Sequence, residues 1–331
     1  MVVHVRLKQP LIKLPVRFRA ETLAQEVRAL PADAWVPHPQ KFEGNEYVPL
    51  VTPAGLITNE FAGPMGITPY LRQCPYLMEV MAGLDCVWGR SRLMGLGPGG
   101  AVPEHVDTNY YWRTHVRVHV PIITNPQVDF TCGGTTVQMA AGDCWVLDTF
   151  RSHEVENRGN EQRVHLVLDT VGGERLWDMV AAASQGGTPP EPVLLEPGRL
   201  SGARLRIELH NYPLVMSPWE MREHFDELLS LADEEPPLEM VRQRLDRLVV
   251  GWTAAWAEFA DSPTGLPGYR TLIAATMQDL NHIGGGGRIM LSNRRALYRV
   301  LKDFVFDNAV ESERVRESKA KALRGGQRLA S

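Results

Sequence analysis

His105-Val106-Asp107 is an H-x-D pair, and His153 follows Asp107 by 46 residues. Arg163 follows His153 by ten residues, inside the alternating run Arg163-Val164-His165-Leu166-Val167-Leu168. On an extended strand, positions i and i+2 point the same way, so an imidazole and a carboxylate at that spacing can grip one metal ion from one side. A distant third His completes a face of three ligands and leaves the opposite face open. The planar fork of an arginine near such a centre suits a carboxylate, held through two parallel hydrogen bonds.

Two His and one carboxylate with open positions opposite them form the ligand set of non-haem Fe(II) oxygenases. The open positions admit a bidentate co-substrate and O2. The same side chains also bind Zn2+, so the alternative is a non-redox cupin-like metal-binding module or a zinc hydrolase. Neither alternative explains Arg163 at its spacing, or the stretch Arg117-Val118-His119-Val120 that looks like the one around Arg163. His119 shares a strand face with Arg117 and Pro121. His115 reads as structural. Tyr110-Tyr111-Trp112 lies next to the ligands, where Tyr110 and Trp112 can either pack the core or wall a substrate pocket.

The elements that must position these groups are short strands. From Cys86 onward the hydrophobic period is two: Val87 to Leu96, then Val102 to Asp107 beyond the turn Gly97-Pro98-Gly99-Gly100, then His115 to Thr124. Val128 to Cys132 and Thr135 to Met139 flank Gly133-Gly134, a two-residue hairpin signal. Gly142-Asp143 leads into Cys144 to Asp148, and Gln162 to Thr170 closes the set. Short strands joined by turns predict an antiparallel sandwich or barrel, which can hold a cofactor in its mouth. Ahead of it, residues 1–20 read as an edge strand, Ala20 to Leu30 as a helix ended by Pro31, and 46–64 as a strand broken by Pro and Gly. Thr68 to Gly83 reads as a helix with a new start at Pro75.

Residues 171–200 are rich in Gly and Pro and read as a boundary. After a short strand at Leu205 to Leu209 the chain turns helical. Ser217-Pro218-Trp219-Glu220 opens a helix to about Ala232, with Ser as N-cap, Pro at N1 and Glu closing a capping box. Further helices are predicted after Pro236-Pro237, over Gly268 to Leu280 and over Asn293 to Val305, with a flexible break at 284–287. The charged segment from Glu311 reads as frayed. The expected division is 1–175 for the strand-rich domain, 176–204 for a linker and 205–331 for a mainly helical domain. The last of these has no ligand-spaced set of its own and reads as a packing domain or a homodimer platform.

The chain has 331 residues, 35 basic and 39 acidic, for a net charge of −4. No basic excess points to nucleic acid, and no run of 18 apolar residues points to a membrane span. The first residues show no apolar core bounded by a small-residue cleavage site, so no signal peptide is expected. Cys74, Cys86, Cys132 and Cys144 include no C-x-x-C pair. Reduced thiols in a cytoplasmic protein fit best.

The sequence resembles the aspartyl/asparaginyl β-hydroxylase family of Fe(II)/2-oxoglutarate dioxygenases, which includes bacterial cis-type proline hydroxylases. The resembling residues are Leu96-Gly97-Pro98-Gly99 before His105-Val106-Asp107, Arg117-Val118-His119-Val120-Pro121-Ile122, Gly142-Asp143 before His153, Asn157, and Arg163-Val164-His165-Leu166. Trp35-Val36-Pro37-His38, Pro49-Leu50 and Cys74-Pro75-Tyr76-Leu77 also match, so the resemblance covers roughly residues 15–175. It implies an α+β fold: a double-stranded β-helix (jelly-roll, cupin-like) core with N-terminal helices and a C-terminal helical domain. It implies Fe(II) on His105, Asp107 and His153, and 2-oxoglutarate on Arg163 and His119. Arg117 would take either that co-substrate or a substrate carboxylate. The implied reaction consumes O2 and hydroxylates an unactivated carbon of an amino acid or amino-acyl substrate, whether free, within a peptide or carrier-bound, releasing succinate and CO2. Some vertebrate-type members lack the metal carboxylate. Here Asp107 is present, which also argues against halogenation.

Overall fold

The computed structural model describes residues 7–184, 191–283 and 288–330. The described chain forms two compact units. One holds the residues up to Asp107, Thr114–Asn211 and those from Ser318 onward. The other holds Thr108–Arg113 and Tyr212–Glu317.

The first unit opens with β1 (Leu11–Phe18), α1 (Ala20–Ala29), β2 (Val36–Pro37), β3 (Asn45–Pro53) and β4 (Met65–Ile67). Then come α2 (Pro69–Arg72) and α3 (Pro75–Leu84), a helical stretch restarted at Pro75 as its sequence predicts. The site strands follow: β5 (Val87–Leu96), β6 (Ala101–His105), β7 (Val116–Ile123), β8 (Val128–Cys132), β9 (Thr135–Val137), β10 (Asp143–Leu147), β11 (His153–Asn157) and β12 (Arg163–Gly172). The unit continues with α4 (Glu174–Ser184), β13 (Val193–Leu195) and β14 (Arg206–Ile207).

The larger sheet runs β13-β1-β10-β7-β12-β5-β3-β2, with β14 on β5 and β4 on β3, and the smaller sheet runs β6-β11-β8-β9. A core seals the space between them. Leu11, Leu96 and Leu147 from the larger sheet meet Val128, Phe130, Cys132 and Val155 from the smaller one, all buried. Each such side chain contributes about 1.5–3 kcal/mol by leaving water. The result is the cupin-like jelly roll of the expected α+β fold. The β8–β9 hairpin turns at Gly133 and Gly134, both at positive φ (55° and 77°), where a Cβ would be strained.

Several elements differ from the sequence reading. The strand β11 escapes it because Glu154 and Glu156 make His153–Asn157 look like a polar loop, yet its side chains alternate strictly between buried and exposed. The stretch read as a linker holds α4 and also β13, which pairs in parallel with β1. Leu176 and Val180 supply α4 with a buried stripe, a short periodicity hidden by the Gly and Pro around it. Residues 1–6 of the expected edge strand, 185–190 of the linker and the expected break at 284–287 lie outside the described residues. All four cysteines are unpaired and buried.

The second unit contains α5 (Pro218–Ser230), α6 (Leu238–Phe259), α7 (Leu266–His282) and α8 (Leu297–Val300), the last running into a π-helical segment at Leu301–Phe306. The buried stripe of α6 is Val241, Leu245, Leu248, Val249 and Trp252, at helical spacing. Ser217 caps α5 as expected, its Oγ accepting from the Glu220 N–H at 3.2 Å. Glu220 also reaches another element of this unit. Its Oε1 accepts from the Tyr110 hydroxyl at 2.6 Å. The charged tail is not frayed but forms α9 (Glu313–Ala330), with Val315, Ser318 and Ala322 buried. No described helix is long and apolar enough to cross a membrane.

Candidate metal centre

β6 and β11 are antiparallel neighbours, and their register sets His105 opposite His153. Opposed residues on such a pair share a face, and the two imidazole rings lie with centroids 4.2 Å apart. β6 ends at His105 rather than continuing to Asp107. Asp107 is fixed instead by its own N–H, which donates to the Thr149 carbonyl at 3.0 Å. One ligand atom from each of His105, Asp107 and His153 falls within 4.8 Å of the others.

The second nitrogen of each imidazole is tied to the backbone. Nδ1 of His105 lies 2.8 Å from the Pro103 carbonyl, and Nδ1 of His153 lies 2.9 Å from that of Arg151. A carbonyl only accepts, so each Nδ1 carries a proton and Nε2 is the nitrogen of each ring that can face a metal. His153 Nε2 is buried without a hydrogen-bond partner, 4.0 Å from Asp107 Oδ2. Burial pushes the His153 imidazole down to about 4 against the pull of Asp107, so it stands neutral at pH 7. Burial alone would raise the Asp107 carboxyl, but Arg117, then His153 and His105, hold it below its ordinary value. Two imidazoles and one carboxylate, with the unpartnered Nε2 of His153 buried, suit a divalent cation.

The larger sheet supplies the facing wall. On β12, Arg163, His165, Val167 and Asp169 follow at alternate positions. Val167 pairs with His119 and Asp169 with Arg117 across to β7. Arg163 is 4 % exposed. Its Nη2 meets His165 Nδ1 at 2.7 Å, while its Nε is buried without a partner. Burial pushes this guanidinium down to about 9. Both ring nitrogens of His119 are also buried without partners. Burial, then Arg163 and Arg117, keep that imidazole neutral.

Arg117 is committed differently. Its Nη1 lies 3.0 Å from Asp107 Oδ2 and its Nε 2.9 Å from Asp169 Oδ1. Its guanidinium spans the candidate metal carboxylate and a second, buried one. Burial opposes its charge, but the two carboxylates raise it above its ordinary value. Tyr110 and Trp112 are buried in the helical unit, where Tyr110 packs on Tyr212 and edge-on to His224. His115 is structural as read, paired with Glu208 at 2.9 Å in a buried setting. Asn157 ties the turn after β5, its Nδ2 donating to the carbonyls of Leu96, Gly97 and Glu161.

Sequence reading missed Asp169, Arg90 and Arg92. Asp169 lies in step with Arg163 and His165 on β12. Arg90 and Arg92 lie in step with Met94 and Leu96 on β5. That parity was the available signal.

With this geometry in hand, comparison with known families gives a match over the strands of the site. Residues 65–172 match the family described as aspartyl/asparaginyl beta-hydroxylase. The beta-hydroxylase match takes in His105, Asp107, His119, His153 and Arg163, and it bears out the resemblance read from the sequence. A search of curated proteins returns no match. Among solved structures, the chain overlaps a prolyl-4-hydroxylase from Pseudomonas putida at 16 % identity, covering 49 % of this chain and 92 % of that one, with a TM-score of 0.33. It overlaps a 2OG-Fe(II) oxygenase family oxidoreductase from Burkholderia pseudomallei at 15 % identity, covering 53 % and 98 %, with a TM-score of 0.35. A prolyl hydroxylase from Trichoplax adhaerens overlaps at 12 % identity, covering 54 % and 89 %, with a TM-score of 0.37. Superpositions this loose add nothing to the argument from the site.

Proposed function

We propose that the protein is an Fe(II)/2-oxoglutarate-dependent dioxygenase that hydroxylates an unactivated carbon of an amino acid or amino-acyl substrate. The observation that carries this reading is the coexistence of the His105–Asp107–His153 cluster with Arg163, a buried guanidinium that has no carboxylate partner among the described residues. A zinc hydrolase would use the three ligands and leave Arg163 without a task.

In this reading His105 and His153 present Nε2 lone pairs and Asp107 an oxygen to Fe(II). The bound ion would supply the O2 chemistry that turns 2-oxoglutarate into succinate and CO2 and oxidises a C–H bond. Arg163 holds the far carboxylate of 2-oxoglutarate. His165, through its contact with Nη2, fixes how that guanidinium presents its remaining N–H groups. His119, neutral and unpartnered, offers one donor beside it. Arg117 orients Asp107 so that one carboxylate oxygen stays directed at the ion.

The test is spectroscopic. Under anaerobic conditions Fe(II) and 2-oxoglutarate together should give a visible absorption band that neither gives alone. Succinate formation over a panel of amino acids should then identify the substrate. Tight stoichiometric zinc with no band would favour the hydrolase or the non-redox module.

A further inference from the structure

The helical unit carries a groove of its own between α5 and α6. Its volume is about 370 Å³, and Trp219, Glu223 and Asp226 of α5 line it together with Val249 of α6. Trp219, Glu223 and Asp226 stand at i, i+4 and i+7, so they share one face of α5. The face of α5 that packs is another, formed by Met221, Phe225 and Leu228. Trp219 is left 70 % exposed. Its ring is nonetheless braced: Trp256 of α6 stands edge to face with it, with centroids 6.3 Å apart and planes at 82°. A fixed aromatic surface is thereby turned to solvent.

The groove is also acidic. Arg222 lines it, but Asp246 of α6 holds that guanidinium. Glu223 and Asp226 have no partner among the described residues. What an incoming group meets is an indole flanked by two free carboxylates, over a buried apolar floor of Pro218 and Val249. The face of an indole attracts a cation, and tryptophan does so best among the aromatic side chains. The two carboxylates act in the same direction and repel an anion.

A guanidinium meets these demands better than an ammonium. It is planar and weakly hydrated, so it can lie flat on the indole while its fork donates to carboxylates. Its methylene stem covers apolar surface on the way. The groove is near the small end of ligand sites, which span roughly 300–1,000 Å³. That is room for one long side chain and its neighbours, not for a helix. We propose that the α5–α6 groove docks an arginine-bearing segment of a partner polypeptide, with the guanidinium over Trp219 and its N–H groups directed at Glu223 and Asp226. The docking needs neither metal nor co-substrate and is independent of the dioxygenase reading.

The experiment titrates the full chain into a dye-labelled heptapeptide with one arginine between two leucines and follows fluorescence polarisation. Counterpart peptides carry lysine or citrulline at that position. Citrulline keeps the shape of arginine and loses its charge. The variants are Trp219→Ala, the double variant Glu223→Gln with Asp226→Asn, and Glu258→Gln, an exposed carboxylate of α6 outside the groove. Wild type should bind the arginine peptide saturably. Binding should weaken by about fivefold or more with citrulline, and by less with lysine. Trp219→Ala and the double variant should each weaken it by about fivefold or more. Both should melt near the wild-type temperature, because none of these side chains belongs to the packed face. Glu258→Gln should bind as wild type does, which separates the groove from net charge. Should Trp219→Ala fail to fold, the double variant carries the test. The proposal is overturned if wild type shows no saturable binding, if the citrulline peptide binds as tightly as the arginine one, or if the folded groove variants bind like wild type. It also fails if sedimentation shows a dimer that Trp219→Ala dissociates, because a second copy of the chain then covers the groove.

Discussion

Arg117 Nη1 lies 3.0 Å from Asp107 Oδ2 while the same guanidinium holds Asp169 through Nε at 2.9 Å. Asp107 is thereby positioned by a residue that is positioned in turn by a buried carboxylate. Partners of a metal ligand that do not touch the metal commonly govern affinity by about 10–100-fold. Asp169→Asn is expected to weaken Fe(II) binding about tenfold and to leave the Michaelis constant for 2-oxoglutarate within about threefold. Metal titration with a competing chelator checks the first and initial rates the second. A raised Michaelis constant with unchanged iron affinity would move Arg117 to the co-substrate.

His105→Ala and His153→Ala should each abolish iron retention and turnover with the fold intact by circular dichroism. Losing one of three anchors leaves the ion weakly held. Wild-type activity at low iron in either variant would remove that histidine from the ligand set.

Arg163→Lys keeps the charge and loses the planar fork, so it should raise the Michaelis constant for 2-oxoglutarate and retain some activity. Arg163→Ala should raise it further, by about ten- to a hundred-fold, the worth of a charge-assisted hydrogen bond of roughly 1.5–3 kcal/mol. Iron affinity should hardly change. Normal 2-oxoglutarate binding in both variants would place the co-substrate carboxylate elsewhere.

Acid should unfold the metal-free protein in a definite window. His153 is held down to about 4, and burial drives His119 and His165 well below their ordinary value as well. The unfolded chain takes up protons on these groups below about pH 6.5, while the folded chain resists. Stability is therefore fully present above that pH and falls as pH drops toward 4, by about 1.4 kcal/mol per pH unit for each histidine. Urea midpoints between pH 7 and pH 4.5, with chelator present, give the slope. A flat profile would mean that these imidazoles are charged in the fold. His119→Gln should flatten it partly.

Histidines of the helical unit should matter for packing rather than chemistry. His282 is exposed, its Nδ1 beside the Gln278 carbonyl, so His282→Ala should leave rate and stability alone. His224 is 3 % exposed between Tyr110 and Phe304. His224→Ala should lower the melting temperature while the rate per folded molecule stays within a few-fold. A large rate loss in a stable variant would give that unit a catalytic group.

Much of this was legible in the sequence because strand parity is rigid. His119 shares a face with Arg117, and His165 with Arg163, by alternation alone, and Gly133-Gly134 announces its hairpin. What the sequence concealed was tertiary. Nothing local says that Arg117 reaches Asp107 rather than a carboxylate of a ligand, since the residue that decides it, Asp169, is 52 positions away. Tyr110 and Trp112 sit close to Asp107 in sequence, yet the chain changes compact unit between Asp107 and Thr108.

The jelly-roll unit is also discontinuous. Ser318, on α9, donates from Oγ to the carbonyl of Ala62, a bond spanning 256 positions, and Ala322 packs against Gly63. A ribosome releasing this chain will have exposed every candidate iron ligand long before it delivers the segment that closes over Ala62 and Gly63. At about 5–20 residues per second the wait is on the order of ten to thirty seconds. For that interval the nascent jelly roll carries an uncovered edge, and it is the stage at which a chaperone has most to protect.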